Sequence, residues 1–333
     1  MNYKKRINII RNYLNKEKTD ALLIKDPSNI FYLTGILETE GFLLIDKDKT
    51  TLFLPALYKE EANQLDNQYI IEPLNLTDFK KVLSGYKRVS FIATELTYNL
   101  FSLLQKDNKT TFVATPDIIK DIRMIKEEEE LVLIKKALSI NHKVFQQIEK
   151  QIETGMRETE VAGEIHYLIR HLGGRKEAFE PIVASGLNSV YPHHRNSDRK
   201  IRKNQPLVID AGTDYRGYKS DLTRTLFLGT PPKKLVEPFK VLQEVLLKTI
   251  EFVKPGMVGK EIHSFAVEVL KKNKLDKYFI HGLGHGVGID VHEKPFLNSQ
   301  STDIIQKGCV LTIEPGIYIP QVGGMRLEEM LII

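Results

Sequence analysis

The sequence predicts an N-terminal α/β domain over residues 1–122, followed by an α+β domain over residues 123–333 built from an internal repeat. Three observations carry this. Up to about residue 120, short apolar runs alternate with polar, helix-like segments. Beyond it, long amphipathic helices are followed by pairs of strands that flank turn residues. In that second part, the same order of features occurs twice. A length of 333 residues accommodates two domains of ordinary size.

The N-terminal segment MNYKKRINIIRNYL is basic and amphipathic. It has neither the uninterrupted apolar core nor the small-residue cleavage site of a secretory signal. Residues Ala21 to Ile24, Gly41 to Ile45, Thr51 to Leu54, Tyr69 to Ile71, Val89 to Ala93 and Thr111 to Ala114 read as strands. Lys47-Asp48-Lys49 reads as a hairpin turn, and Leu57 to Leu65 and Leu96 to Lys106 read as helices. This domain has no cluster of chemically active residues and no histidine.

Pro116 to Lys126 forms the expected connection. A long helix follows, with Leu131, Ile134, Leu138, Phe145, Ile148 and Ile152 at helical spacing and Glu127 to Glu130 at its start, where the helix dipole favours acids. Gly155 is expected to end it. A second helix is expected from Thr159 to His171, stopped by Gly173-Gly174. After Pro231-Pro232 another helix runs to about Val253, with Pro238 in its first turn or delaying its start. A further one runs from Val258 to Asn273. Gly-Met separates the helices in both pairs, at 155–156 and 256–257, and LVIDAG at 207 has a counterpart in LTIEPG at 311. The order helix, Gly-Met, helix, strand, acid, Gly therefore repeats, and the two halves are expected to pack about a pseudo-twofold axis with their acids facing. His142, His166, His171 and His263 fall on helices and are read as structural or solvated.

The stretch PLVIDAGTDYRGYKSDLTRTLFLG, residues 206–229, has two apolar runs around a Tyr215-Arg216-Gly217 turn. Asp210 and Asp221 are equidistant from the point between Tyr215 and Arg216, so they are expected to face each other in a hairpin. A surface turn with incidental acids is one reading. A cation between two like charges in an apolar sheet is the sharper one. A second hairpin, Leu311 to Ile319 and Met325 to Ile332 about Gly323-Gly324, adds Glu314 and Glu328. Four carboxylates balance two divalent cations. HGLGHGVGIDVHE, residues 281–293, supplies imidazoles on a glycine-rich backbone that can fold tightly. It has no Walker lysine and is not a phosphate loop. Oxygen donors with one nitrogen suit manganese, cobalt, iron or zinc.

The composition excludes other classes. A hydrophobic share of 42% supports real cores, but no apolar run approaches the roughly 18 residues of a membrane span. The single cysteine, Cys309, excludes an intrachain disulfide framework and fits a reducing cytoplasm. A net charge of +5 arises from interspersed acids and bases, with no basic stripe for nucleic acid.

The motifs IDAG, SDLTRT, HGLGHGVG, IEPGIY and the final RLEE together resemble the metal-dependent proline-specific peptidases of the pita-bread fold, the Xaa-Pro dipeptidases (prolidases) and Xaa-Pro aminopeptidases. The resemblance covers essentially the whole chain. It implies two divalent ions, Mn2+ or Co2+ first and Zn2+ or Fe2+ next, held by Asp210, Asp221, His285, Glu314 and Glu328. Asp221 and Glu328 would bridge, Asp210 would complete one site, and His285 and Glu314 the other. It places Glu314 as proton carrier for the attacking water, and His281 and His292 as stabilisers of the tetrahedral intermediate. His193 would lie on the proline side, with Arg326 and Tyr318 in supporting contacts. It also implies a proline-containing peptide substrate, a homodimer, and an N-terminal domain that shields the cleft.

Other activities on this fold are a metal-independent creatinase-like hydrolase and a non-catalytic peptide-binding protein. The intact ligand set speaks against both. Methionine aminopeptidases share the catalytic half but typically lack a preceding domain of this kind. Glu329 stands where the family usually has aspartate, and Ile333 falls inside the expected last strand, which the sequence is expected to cut short. Whether the substrate ends at proline or continues beyond it is open. A dipeptidase needs a cation for the proline carboxylate, and an aminopeptidase needs an open cleft.

Overall fold

The computed structural model describes residues 1–65 and 68–333. The chain divides into two compact units, Met1–Arg123 and Met124–Ile333.

In the first unit the helices are α1 (Tyr3–Glu17), α2 (Pro27–Thr34), α3 (Lys59–Ala62), α4 (Leu76–Ser84), α5 (Tyr98–Gln105) and α6 (Ile118–Arg123). They accompany a sheet of β1 (Ala21–Ile24), β2 (Phe42–Asp46), β3 (Thr50–Leu54), β4 (Ile70–Pro73), β5 (Arg88–Ile92) and β6 (Thr111–Thr115). The sheet order is β4-β3-β2-β1-β5-β6. The β1–β2 and β2–β3 pairs are antiparallel and the outer pairs parallel. Its core gathers Leu23, Leu44, Phe53, Phe79 and Leu104. The expected helix over Leu57 to Leu65 is instead a 3₁₀ turn, Ala56–Tyr58, and the single turn α3. Only Ala62 is buried there, so no apolar face holds a longer helix in place.

The second unit opens with α7 (Glu128–Gln151) and α8 (Glu158–His171), then β7 (Lys176–Glu177), β8 (Ile182–Ser185), β9 (Pro206–Ala211), β10 (Thr213–Tyr215), β11 (Tyr218–Lys219) and β12 (Leu222–Phe227). It continues with α9 (Lys233–Phe252) and α10 (Gly259–Lys272), then β13 (Gly284–Gly286), β14 (Glu293–Leu297), β15 (Val310–Ile313), β16 (Gly316–Ile319), β17 (Gly323–Arg326) and β18 (Glu329–Ile332). Sheet orders are β12-β9-β8 in one half and β14-β13-β15-β18 in the other.

The repeat is visible bond by bond. Gly155 N donates to Ile201 O and Gly256 N to Ile305 O, at 2.9 and 2.8 Å. Ile201 N donates back to Met156 O, and Ile305 N to Met257 O. Glu158 N and Gly259 N open their helices with bonds to Arg199 O and Asp303 O. Both turn glycines have left-handed φ, 103° and 94°, where a side chain would be strained. Helices α8 and α10 also start alike: the third residue of each, Glu160 and Glu261, reaches back to the backbone N–H before the helix. Each half has its own core. One includes Ile140, Val161, Ile165 and Ile209, and the other Leu242, Ile262, Leu311 and Ile317.

Several local expectations are corrected. Helix α7 stops at Gln151, and Gly155 lies beyond it in the connecting turn. Helix α9 begins at Lys233, so Pro238 sits in its second turn and removes one main-chain bond. Gly323 and Gly324 open β17, and the turn is Pro320–Val322. A Cβ on Gly324 would lie 2.0 Å from Ser189 O, so this glycine serves a close approach rather than the turn. Both arms of each hairpin are also interrupted, and the interruptions fall beside the acids.

Candidate metal centre

Two hairpins deliver the four carboxylates. In the first, the two-residue turn is Arg216-Gly217, with φ of 52° and 86°, the positive pair that suits a hairpin. This turn lies one residue later than the sequence suggests. It sets the register Tyr215↔Tyr218 and Asp210↔Thr223. Asp210 therefore faces Thr223, not Asp221, which lies two residues along in the gap between β11 and β12. Side chains two apart share a face of a strand, so the two acids still converge.

The second hairpin pairs Ile313↔Glu329 and Gly316↔Arg326. That register is continuous across the gap and sets Glu314 opposite Glu328. The two hairpins are bonded to each other. Glu328 N donates to Thr223 O, and Thr223 Oγ1 donates to Glu328 Oε2 at 2.8 Å. Arg224 Nη1 reaches Glu328 O at 2.6 Å, and Thr225 Oγ1 reaches Arg326 O at 2.8 Å.

His285 comes from β13. Cβ atoms on its neighbours Gly284 and Gly286 would lie 2.1 Å from Thr312 O and Lys294 O. Glycine at both places lets this short strand press between β14 and β15. His285 Nδ1 lies 3.1 Å from Gly286 O. A proton there leaves the Nε2 lone pair facing the acids. Nε2 is 3.5 Å from Glu314 Oε1 and 3.8 Å from Asp221 Oδ2.

The donor set fits a cation. Asp221, His285 and Glu328 are buried and offer atoms within 4.8 Å of one another. Asp210 Oδ1 and Asp221 Oδ1 are buried with no hydrogen-bond partner among the described residues, a costly state that an ion would relieve. Burial, then the neighbouring carboxylates, hold Asp221 and Glu328 well above the usual carboxylate range. Burial also pushes Glu314 up to about 7, against the lowering effect of Arg326. Burial first, and His292 second, brings His285 down to about 4, which keeps it neutral as a ligand must be.

Arg326 is buried and fully engaged. It donates to Asp210 Oδ2 at 2.6 Å, Tyr318 Oη at 2.9 Å, Thr223 Oγ1 at 3.2 Å and Pro192 O at 3.2 Å. Tyr318 Oη lies 3.0 Å from His281 Nε2, and His281 Nδ1 lies 2.7 Å from Gly282 O. A bonded chain thus runs Asp210, Arg326, Tyr318, His281. Gly316 makes room for it, since a Cβ there would lie 2.7 Å from Tyr318 Oη. Burial brings His281 down to about 4. The rings of His285 and His292 are 4.2 Å apart.

Asp210, Asp221, His285, Glu314, Glu328, His193, His281, His292 and Arg326 all line one cavity of about 510 Å³. Phe179, Ile182, Val291 and Phe296 supply its apolar wall. Tyr318 stands behind it. The sequence reading missed Thr223, although Asp221, Thr223 and Thr225 alternate with the period of a strand face. It also missed the buried ion pair of Lys126 Nζ and Glu293 Oε1, 2.8 Å apart, which anchors the segment that carries His292. No sequence signal joins residues so distant in the chain.

Comparison with known proteins bears on this geometry. The profile of metallopeptidase family M24 matches residues 132–333, and that of the creatinase/prolidase N-terminal domain matches residues 6–125. The chain is 35% identical to the Xaa-Pro dipeptidase of Pyrococcus furiosus over 332 residues, 99% of this chain and 95% of the relative. Its structure is similar to the Xaa-Pro dipeptidase from Bacillus anthracis, with a TM-score of 0.96, 30% identity, and coverage of 100% of this chain and 95% of the other. It is also similar to the X-Pro aminopeptidase from Thermotoga maritima, with a TM-score of 0.89, 28% identity, and coverage of 98% and 95%.

Proposed function

The chain belongs to metallopeptidase family M24, and from that premise we propose that it hydrolyses the bond between an N-terminal residue and proline. The observation that carries the reading is the convergence of Asp210, Asp221, Glu314, Glu328 and His285 on one cavity beside His193, His281 and His292. The similar proteins named Xaa-Pro dipeptidase and X-Pro aminopeptidase support the proline specificity. A creatinase-like hydrolase or a non-catalytic peptide binder would leave the buried carboxylates and their unpartnered oxygens without a task.

Asp221 and Glu328, the most buried of the acids, would be shared by two divalent ions. Asp210 would hold one, and His285 and Glu314 the other. The oxygen-rich donor set favours manganese or cobalt, with zinc or iron next. When bound, such ions polarise the scissile carbonyl and make water a nucleophile at neutral pH.

The chain's own residues do the rest. Glu314, the least buried of the acids, takes the proton of the attacking water and returns it to the leaving proline nitrogen. Arg326 fixes the orientation of the Asp210 carboxylate. His292, whose ring is exposed to the cavity, donates toward the carbonyl oxygen as charge develops there. His281, held by Tyr318, orients the substrate, and His193 contacts the proline side. The apolar wall receives the proline ring and excludes water.

A homodimer in a reducing cytoplasm completes the proposal. The family resemblance supports the dimer and the lone Cys309 the compartment, and sedimentation and cell fractionation test them. The activity is tested by product release from Xaa-Pro, Xaa-Pro-Yaa and Xaa-Ala peptides with added metal. Cleavage of the Xaa-Ala peptide alone would overturn the proline specificity.

A further inference from the structure

His193 lies in the loop Tyr191–Asn196, outside any strand or helix. On one side, Arg326 Nη1 donates to Pro192 O. On the other, the next residue, His194, places Nε2 2.8 Å from Glu158 Oε2. Glu158 is the first residue of α8 and is fully buried. Its Oε1 accepts from Ser185 N and Oγ, and from Asn188 Nδ2, at 2.8–3.0 Å. Its Oε2 also accepts from Ser197 Oγ at 2.6 Å. Burial would raise the pKa of this carboxyl, but the donors outweigh it and hold the group below its ordinary range.

The internal repeat shows that Glu158 is not needed to build the helix. Its counterpart, which opens α10 with the same main-chain bond, is Gly259. A Cβ on Gly259 would lie 2.1 Å from Phe296 O and 2.7 Å from Ser301 Oγ. One half of the repeat closes this space with backbone, and the other fills it with a carboxylate that collects donors. The N-terminal bond that both helices share belongs to Glu160 and Glu261.

Beside the loop is a second cavity of about 570 Å³, lined by His194, Arg195 and Asn196 on the loop side and by Ala162, Gly163 and His166 on α8. Hydrogen bonds hold the loop along it. Asn196 accepts from Val183 N and donates to Pro181 O, both at 2.8 Å, and His194 adds the bond to Glu158 nearest to His193.

We propose that Glu158 and His194 are positioning residues that fix the loop so that His193 stands at the substrate cavity. The inference rests on the Xaa-Pro reading above, and it assigns a role to a cluster that lies outside the metal centre. Glu158 acts through His194, and His194 through the backbone of His193.

The test is a double-mutant cycle on the full-length, metal-loaded enzyme with an Xaa-Pro-Yaa substrate. His194→Ala is expected to lower kcat/KM about 10- to 100-fold, the scale of a misplaced contact. His194→Gln, which keeps a donor within reach of Glu158, is expected to recover most of it. In a His193→Ala background, His194→Ala is expected to change kcat/KM less than about twofold, because the two act as one unit. Losses that multiply, or a His194→Ala variant that loses only thermal stability, would overturn the proposal. The His193 ring signal in proton–carbon NMR spectra gives a readout that needs no substrate. It is expected to shift or broaden in His194→Ala and in Glu158→Gln. An unchanged signal in the folded His194→Ala variant overturns the positioning role, whereas a wild type inactive on every Xaa-Pro peptide overturns the activity instead.

Discussion

Arg326 Nη2 lies 2.6 Å from Asp210 Oδ2, and the same guanidinium donates to Tyr318 Oη at 2.9 Å. One buried side chain therefore sets the orientation of a candidate metal ligand and of the tyrosine that holds His281. Lysine cannot reproduce this planar fork. Arg326→Lys is expected to weaken metal binding or kcat/KM by about 10- to 100-fold, the usual cost of losing a ligand's supporting bond. Metal titration followed by steady-state kinetics checks this, and wild-type values for both would remove Arg326 from the centre.

Among the described residues, the Glu314 side chain makes no hydrogen bond that its amide analogue would break, and His285 Nε2 stands 3.5 Å from its Oε1. Glu314→Gln is expected to keep the fold and lower kcat by about 10²–10⁴-fold, the range for a lost proton carrier. Circular dichroism and turnover of an Xaa-Pro substrate test the two halves. Near-native turnover in a folded, metal-loaded variant would assign the proton transfer elsewhere.

Removing the metal should invert the pH dependence of stability. In the metal-free protein Glu314 lies at about 7 against an ordinary 4.5, and Asp221 and Glu328 shift in the same direction. A raised folded-state pKa means that the folded protein binds the proton more tightly than the unfolded chain does. The Glu314 contribution is thus fully present below pH 4.5 and is lost as pH rises through 7. Chelated protein is expected to show a Tm that falls from about pH 6.5 to about pH 8, because His281 and His285, lowered to about 4 in the folded protein, act in the opposite direction only below pH 6.5. Metal-loaded protein should be increasingly stabilised over that window, because its ligands must be deprotonated. Parallel Tm profiles in the two states would contradict the assignment of these acids as ligands.

Gly324 N donates to Ser189 Oγ at 2.7 Å, and a Cβ on this glycine would collide with Ser189 O. The chain from Ser189 leads directly into the His193 loop. Gly324→Ala is expected to cost about 1–3 kcal/mol, as overpacking does, and to lower activity as well. Denaturant unfolding and kinetics on the same preparation measure both. A stable, fully active variant would show that β17 can shift without moving the loop.

The local order of elements was legible because apolar periodicity and turn residues are local signals. The helix pairs, the Gly-Met turns and the acid-bearing strands were all marked in the chain. Helix α9 shows where such reading stops. Its apolar stripe packs against Ile262 and Leu270 of α10 and tolerates Pro238 inside it, which local propensity alone argues against. The first hairpin failed by one residue for a related reason. Tyr215, Arg216 and Gly217 can form more than one turn, and the choice fell to the ladder on either side of it.

By itself, the sequence determined the class of fold, the repeat and the residues capable of metal chemistry, because these follow from residue type, order and spacing. Only the tertiary structure decided which donors face which. Asp210 stands opposite Thr223, Arg326 is committed to Asp210 and Tyr318, and Glu158 holds His194. Those pairings join residues from 8 to 116 positions apart. They exist because β-sheet registers and buried hydrogen bonds must all be satisfied together, a condition that no single stretch of chain contains.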